Sequence, residues 1–141
     1  MPARSRIRTA LALVAALFAS LIVVQVFLAG LGVFDDPASF ITHRNFGYAI
    51  GWFTLVIVVL AVAGRTGQRL IGLSVLALAQ MALQSVFVLV RADLPAVAAL
   101  HPVNGVLLLL VVIVIAREAW RSRDAVQPAG RRSVREQGVT A

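Results

Sequence analysis

Apolar residues run almost unbroken through Ile7–Phe34, then again through three later stretches near 42–63, 69–91 and 101–121. Each is close to or longer than the roughly 20 residues that an α-helix needs to cross a bilayer. Between them lie short polar breaks. Asp35-Asp36-Pro37 stops the first run, Gly64-Arg65-Thr66-Gly67-Gln68-Arg69 the second, and Asp93-Leu94-Pro95 the third. These breaks carry Pro, Gly and charges, the residues that end helices. The pattern predicts an all-α integral membrane four-helix bundle, one transmembrane domain over residues 1–121, with a polar disordered cytoplasmic tail over 122–141. Asp36-Pro37 is read as a cap and first helical residue, with 37–42 as a turn at the membrane surface. Pro102 would kink a helix begun at Pro95, so it is placed in the first turn of helix 4.

The polar positions repeat. Pro37-Ala38-Ser39-Phe40-Ile41-Thr42-His43-Arg44-Asn45-Phe46-Gly47 and Pro95-Ala96-Val97-Ala98-Ala99-Leu100-His101-Pro102-Val103-Asn104-Gly105 share Pro, Ala, His and Gly at one constant offset. Gln25-Val26-Phe27 is echoed by Gln84-Ser85-Val86-Phe87 at nearly the same offset. The chain therefore reads as two copies of a helix hairpin, related by an axis along the membrane normal. That symmetry brings both histidines, one on helix 2 and one on helix 4, to the same depth.

Composition narrows the class further. Of 141 residues, 60% are hydrophobic and 13% charged, more apolar surface than a soluble domain of this size would hide. There is no cysteine, which removes disulfides, thiolate metal sites, covalent haem attachment and iron–sulfur ligation. The net charge of +7 comes wholly from arginine. These arginines flank apolar runs, so they point to membrane topology and lipid headgroups, and no nucleic-acid partner is expected. Arg4, Arg6, Arg8, Arg65, Arg69, Arg117, Arg121, Arg123, Arg131, Arg132 and Arg135 fall on one side of the predicted topology. Arg44 and Arg91 fall on the other. The excess predicts a multi-pass protein of the cell membrane with both termini in the cytoplasm. His43 and His101 then lie near the outer face.

A strongly coordinating residue inside a membrane helix points to function, because its desolvation must be offset. Imidazole binds iron, copper and zinc. Zinc takes three or four protein ligands, and the sequence offers two good ones. Haem needs only two axial ligands, so His43 and His101 are candidate ligands of one b-type haem. Gly47 and Gly105 follow one turn deeper on the same faces, where a missing side chain would admit a flat macrocycle. The competing use of such glycines is close helix packing. Arg44 and Arg91 stand at the outer level and would suit haem propionates. Equally, they would pair with Asp35, Asp36 or Asp93, or reach to headgroups. Asn45, Asn104, Gln25, Gln80 and Gln84 are candidate partners that orient an imidazole, or plain interhelical hydrogen-bonding groups.

At these residues the sequence resembles one four-helix half of the haem A synthase family. His43-Arg44 is similar to that family's histidine–arginine pair, and His101 takes the place of its fourth-helix histidine. The resemblance implies haem ligation by both histidines. It departs where the family carries a glutamate shortly before the pair: here Ser39-Phe40-Ile41-Thr42 precede it, and the nearest carboxylate is Asp36. The resemblance therefore does not imply haem-oxidising chemistry. The chain also resembles small actinobacterial four-helix membrane proteins of unknown function.

The functional expectation is electron transfer or redox sensing through bis-histidine haem, in contact with lipid, and with a quinone or a redox protein as partner classes. One alternative is a cofactor-free accessory or structural subunit. Another is a small enzyme or transporter built on Gln25, Gln80 and Gln84. Nucleophilic catalysis finds no supporting pattern.

Overall fold

A computed structural model describes residues 3–123. Its elements are α1 (Ala3–Phe34), α2 (Ser39–Ala63), α3 (Gln68–Leu89), the one-turn α4 (Pro95–Ala98) and α5 (Leu100–Ser122). Four of these, counting α4 and α5 as one span, are long and apolar enough to cross a membrane. The predicted tail beyond Arg123 lies outside the described residues.

The helix boundaries differ from the sequence expectation at four places, each for a local reason. α1 starts at Ala3, not Ile7, so Arg4, Arg6 and Arg8 belong to the helix. At 32 residues it is about 48 Å long, well beyond a hydrocarbon core of about 30 Å. α2 starts at Ser39, three residues before the expected Thr42. The Asp36 carboxylate accepts the Ala38 N–H at 2.9 Å, so winding begins directly after Pro37. α3 ends at Leu89, leaving Arg91 in the loop. Before α5, Pro95 opens α4, and the helix breaks at Ala99. Pro102 has no N–H for the Ala98 carbonyl and its ring crowds that turn, which accounts for the break.

Each long helix packs on its sequence neighbours, and α5 closes onto α1. α1 and α3 face each other across one diagonal, α2 and α5 across the other. The buried positions expose the duplication. On α1 they include Leu11, Ala15, Phe18 and Ile22; on α3 Leu70, Ser74 and Ala77, followed by half-buried Met81. On α2 they are Ile50, Thr54, Ile57 and Ala61; on α5 Leu108, Val112, Ile115 and Ala119. The two lists coincide position by position under the repeat. Small residues such as Ala15, Ala61, Ala77 and Ala119 let the helices approach, which is how packing gains energy where lipid removes the hydrophobic drive. Thr54 and Ser74 bond their own helix's carbonyls, of Gly51 and Leu70, so both are buried without an orphaned hydroxyl.

The α2–α3 turn closes the end of the bundle that holds the N-terminus. Thr66 N–H bonds the Ala61 carbonyl and Arg65 N–H the Val62 carbonyl, a Schellman ending with Arg65 at φ 46°. Arg8 reaches this end from α1. Its guanidinium donates to the carbonyls of Gly64 (3.1 Å), Arg65 (2.9 Å) and Ser122 (2.9 Å). One cation thus ties together the C-terminal, partially negative ends of α2 and α5.

Candidate functional site

At the opposite end, the diagonal pair α2 and α5 brings the two histidines together. The rings of His43 and His101 lie with centroids 6.2 Å apart and planes at 66°. Phe40 meets His43 edge-on at 6.3 Å. Both rings are half-buried and line one cavity of about 740 Å³. Phe18, Ile22, Ile50, Met81 and Leu108 form its apolar inner part. The volume falls within the ~300–1,000 Å³ typical of small-molecule and cofactor sites.

Each histidine is fixed by the glutamine that precedes it in its own hairpin. His43 Nδ1 lies 3.0 Å from the Gln25 backbone carbonyl, and His101 Nδ1 3.1 Å from that of Gln84. A carbonyl only accepts, so Nδ1 carries the proton in both rings and Nε2 keeps a lone pair when the ring is neutral. The glutamine side chains close the bracket. Gln25 Nε2 donates to the His43 carbonyl at 2.8 Å. With its amide turned to satisfy its neighbours, Gln84 donates to the His101 carbonyl at 3.0 Å and accepts from Gly105 N–H at 3.3 Å. Gln25 Nε2 also stands 3.4 Å from His43 Nε2, a contact at the long limit of hydrogen bonding.

Gly47 and Gly105 serve this bracket first. A β-carbon on Gly47 would come within 2.7 Å of Gln25 Nε2, and one on Gly105 within 3.1 Å of the Gln84 amide. The space that these glycines leave is taken by the glutamine side chains, although both glycines also line the cavity. Gly51 instead admits Met81, whose Cε would be 3.2 Å from a β-carbon there.

Among the other predicted site residues, Arg44 and Arg91 are exposed and stand on the cavity rim. Arg91 donates to the Val88 carbonyl at 3.1 Å. Among the described residues neither forms an ion pair with Asp35, Asp36 or Asp93; the one ion pair is Arg69–Glu118 at 2.8 Å. Asn104 bonds the Gln80 carbonyl at 2.8 Å, away from the imidazoles, and Asn45 is exposed. Of the five amides singled out in the sequence, Gln25 and Gln84 are the two that hold histidines. Tyr48 and Ser85 also line the cavity; no sequence pattern marks them out, and their counterparts in the repeat are Val106 and Val26.

Chemically, two neighbouring imidazoles with fixed Nδ1–H groups offer at most two ligand nitrogens. Two imidazoles that share one metal through Nε2, each at about 2 Å, stand with ring centres roughly 6 Å apart. Among the described residues no group of three or more His, Asp or Glu side chains gathers. A metal held by this pair alone would have to bring its other ligands with it.

Fold and site together define a small multi-pass membrane four-helix bundle with an inward-facing histidine pair. Residues 25–92 match a family described as "Family of unknown function (DUF6220)". The match opens at Gln25 and closes just past Arg91, so it takes in the first hairpin's histidine and glutamine and all of α3. No curated protein and no solved structure matches the chain.

Proposed function

We propose that this protein binds one b-type haem between His43 and His101 and carries or senses electrons within the membrane. The observation that carries this reading is the separation of the two imidazoles, 6.2 Å between ring centroids, with both Nδ1 atoms held by backbone carbonyls. Such an arrangement orients a ligand ring before the metal arrives, as the hydrogen-bonded histidines of metal proteins do. The cavity's lining is mostly apolar, and the exposed Arg44 and Arg91 give its rim the positive charge that haem carboxylates need. The resemblance of His43-Arg44 and His101 to the haem A synthase pattern points the same way. The lack of a carboxylate just before His43 separates this site from haem-modifying chemistry. Haem supplies one-electron redox chemistry when bound; the chain's residues hold, orient and shield it. A membrane quinone or a redox protein is the partner class for such a carrier. The arginine distribution supports an orientation with both termini in the cytoplasm and the site near the outer face of the cell membrane.

The same hydrogen bonds favour a second reading. The Nδ1–H···O=C bonds and the glutamine amides would clasp α1 to α2 and α3 to α5 without any metal, as in a cofactor-free accessory subunit. Absorption spectroscopy separates the two. Purified protein, as isolated or after addition of haem, is expected to show a six-coordinate low-spin spectrum with sharp bands on reduction. His43→Ala and His101→Ala are each expected to convert it to a high-spin form or abolish it. A native protein that takes up no haem would leave the structural clasp as the better account.

A further inference from the structure

The cavity is lined by residues of two seams, α2–α3 and α5–α1, and the repeat allows these two mouths to be compared position by position. On α2, Gly51 approaches Met81 of α3, whereas Phe53 stacks on Phe18 of α1 at 5.9 Å. Arg44 and Tyr48 lie seven and three residues before Gly51, on its side of the helix, and so face α3. Ser85 and Val88 lie four and seven residues after Met81, on the α3 face that meets them. All four line the cavity and are exposed, and Arg91 completes this rim. The equivalent seam lies between α5 and α1. There Pro102 takes the place of Arg44, Val106 of Tyr48, Val26 of Ser85 and Ala29 of Val88. Gly32 takes the place of Arg91. One mouth thus carries two guanidiniums, a phenol and a hydroxyl, and the other is hydrocarbon throughout. Membrane anchoring does not account for the difference: the two mouths stand at the same height, and an interfacial belt would favour both alike.

We propose that the α2–α3 mouth is the carboxylate port of the site. Resting on the haem reading above, it holds the two propionates of the porphyrin, while the α5–α1 mouth faces the porphyrin's apolar edge. Coordination by the histidines is blind to this choice, because the repeat makes them equivalent; the mouths decide it. Every polar side chain at the port donates hydrogen bonds, and guanidinium–carboxylate bonds are the strong, charge-assisted kind. At a lipid-lined rim a carboxylate stays ionised only with such partners.

The test uses the full chain in detergent, titrated with haem and with haem dimethyl ester, whose carboxylates are blocked while its iron is unchanged. The Soret shift reports binding. The native chain is expected to hold the free acid about tenfold or more tighter than the ester, from two charge-assisted contacts. The Arg44→Leu/Arg91→Leu double variant is expected to bind both alike, at the ester's affinity. Val106→Leu, at the opposite mouth, is expected to keep the native preference. Equal affinities in the native chain, or a preference that survives in the double variant, would overturn the port while the bis-histidine spectrum still upheld haem binding. No low-spin spectrum with either porphyrin would overturn both.

Discussion

A β-carbon at Gly47 would meet the Gln25 side-chain nitrogen at 2.7 Å, and that nitrogen bonds the His43 carbonyl at 2.8 Å. The glycine, the glutamine and the histidine are therefore one unit: without room at Gly47 the amide is pushed off the His43 carbonyl. The same three residue types recur as Gly105, Gln84 and His101. The repeat preserves a hydrogen-bonded bracket as well as a ligand.

Alanine at three helical glycines should give three different outcomes in thermal unfolding in detergent. Gly72→Ala, which meets nothing within 4 Å, should gain up to about 1 kcal/mol from helix propensity. Gly105→Ala should come out near neutral, because its 3.1 Å contact asks the Gln84 amide to give by only a few tenths of an ångström. Gly47→Ala should lose about 1 kcal/mol, the propensity gain being outweighed by a displaced, half-buried amide. If Gly47→Ala stabilises as much as Gly72→Ala, the glutamine bracket contributes nothing.

Removal of the Arg8 guanidinium should be costly. It holds three carbonyls from two helix ends, and charged hydrogen bonds of this kind contribute about 1.5–3 kcal/mol each at most when well formed. Arg8→Ala should lower stability by about 2–3 kcal/mol after rehydration of the freed carbonyls, and Arg8→Lys should recover only part. Arg4→Ala and Arg6→Ala, at exposed positions on the same helix, set the comparison and should change stability little. Equal midpoints for all three alanine variants would contradict the role assigned to Arg8.

Arg65 occupies the left-handed region at φ 46°, where glycine is favoured and other residues pay about 1–2 kcal/mol. Its carbonyl, not its side chain, receives Arg8. Arg65→Gly should therefore raise the unfolding free energy by about 1 kcal/mol, contrary to the usual effect of glycine. A fall in midpoint would mean that the arginine side chain contributes at the membrane surface more than its backbone costs.

Orientation is testable without purification. Reporter fusions after Ala141 and within 35–39 should report opposite compartments, with the C-terminal fusion cytoplasmic. The same compartment for both positions would contradict a four-span topology.

Much of the fold was legible in the sequence, because a bilayer leaves the backbone few choices. Each segment must satisfy its own peptide groups, so length and hydropathy alone mark Ile7–Phe34 and its successors as spanning helices. The constant offset between His43 and His101 placed both histidines at one depth, because each opens the returning helix of a copied hairpin. Helix ends were less legible. The winding of Ser39–Thr42 depends on the Asp36 side chain bonding Ala38 N–H, and the break at Ala99 on a proline three residues later. Both are local, but neither leaves a hydropathy signal.

The sequence by itself determined the class, four apolar helices in two copies, and the two histidines that the copies share. Those follow from periodicity and composition, which act through the solvent and need no knowledge of neighbours. Only the tertiary structure decided what the polar residues do. It set the rings of His43 and His101 6.2 Å apart across a diagonal and chose Gln25 and Gln84 from five amides. It gave the space beside Gly47 to an amide, and it sent Arg8 to three carbonyls distant in sequence. A hydrogen bond is fixed by distance and direction between particular atoms, and in this bundle those are settled by how α1, α2, α3 and α5 rotate against one another.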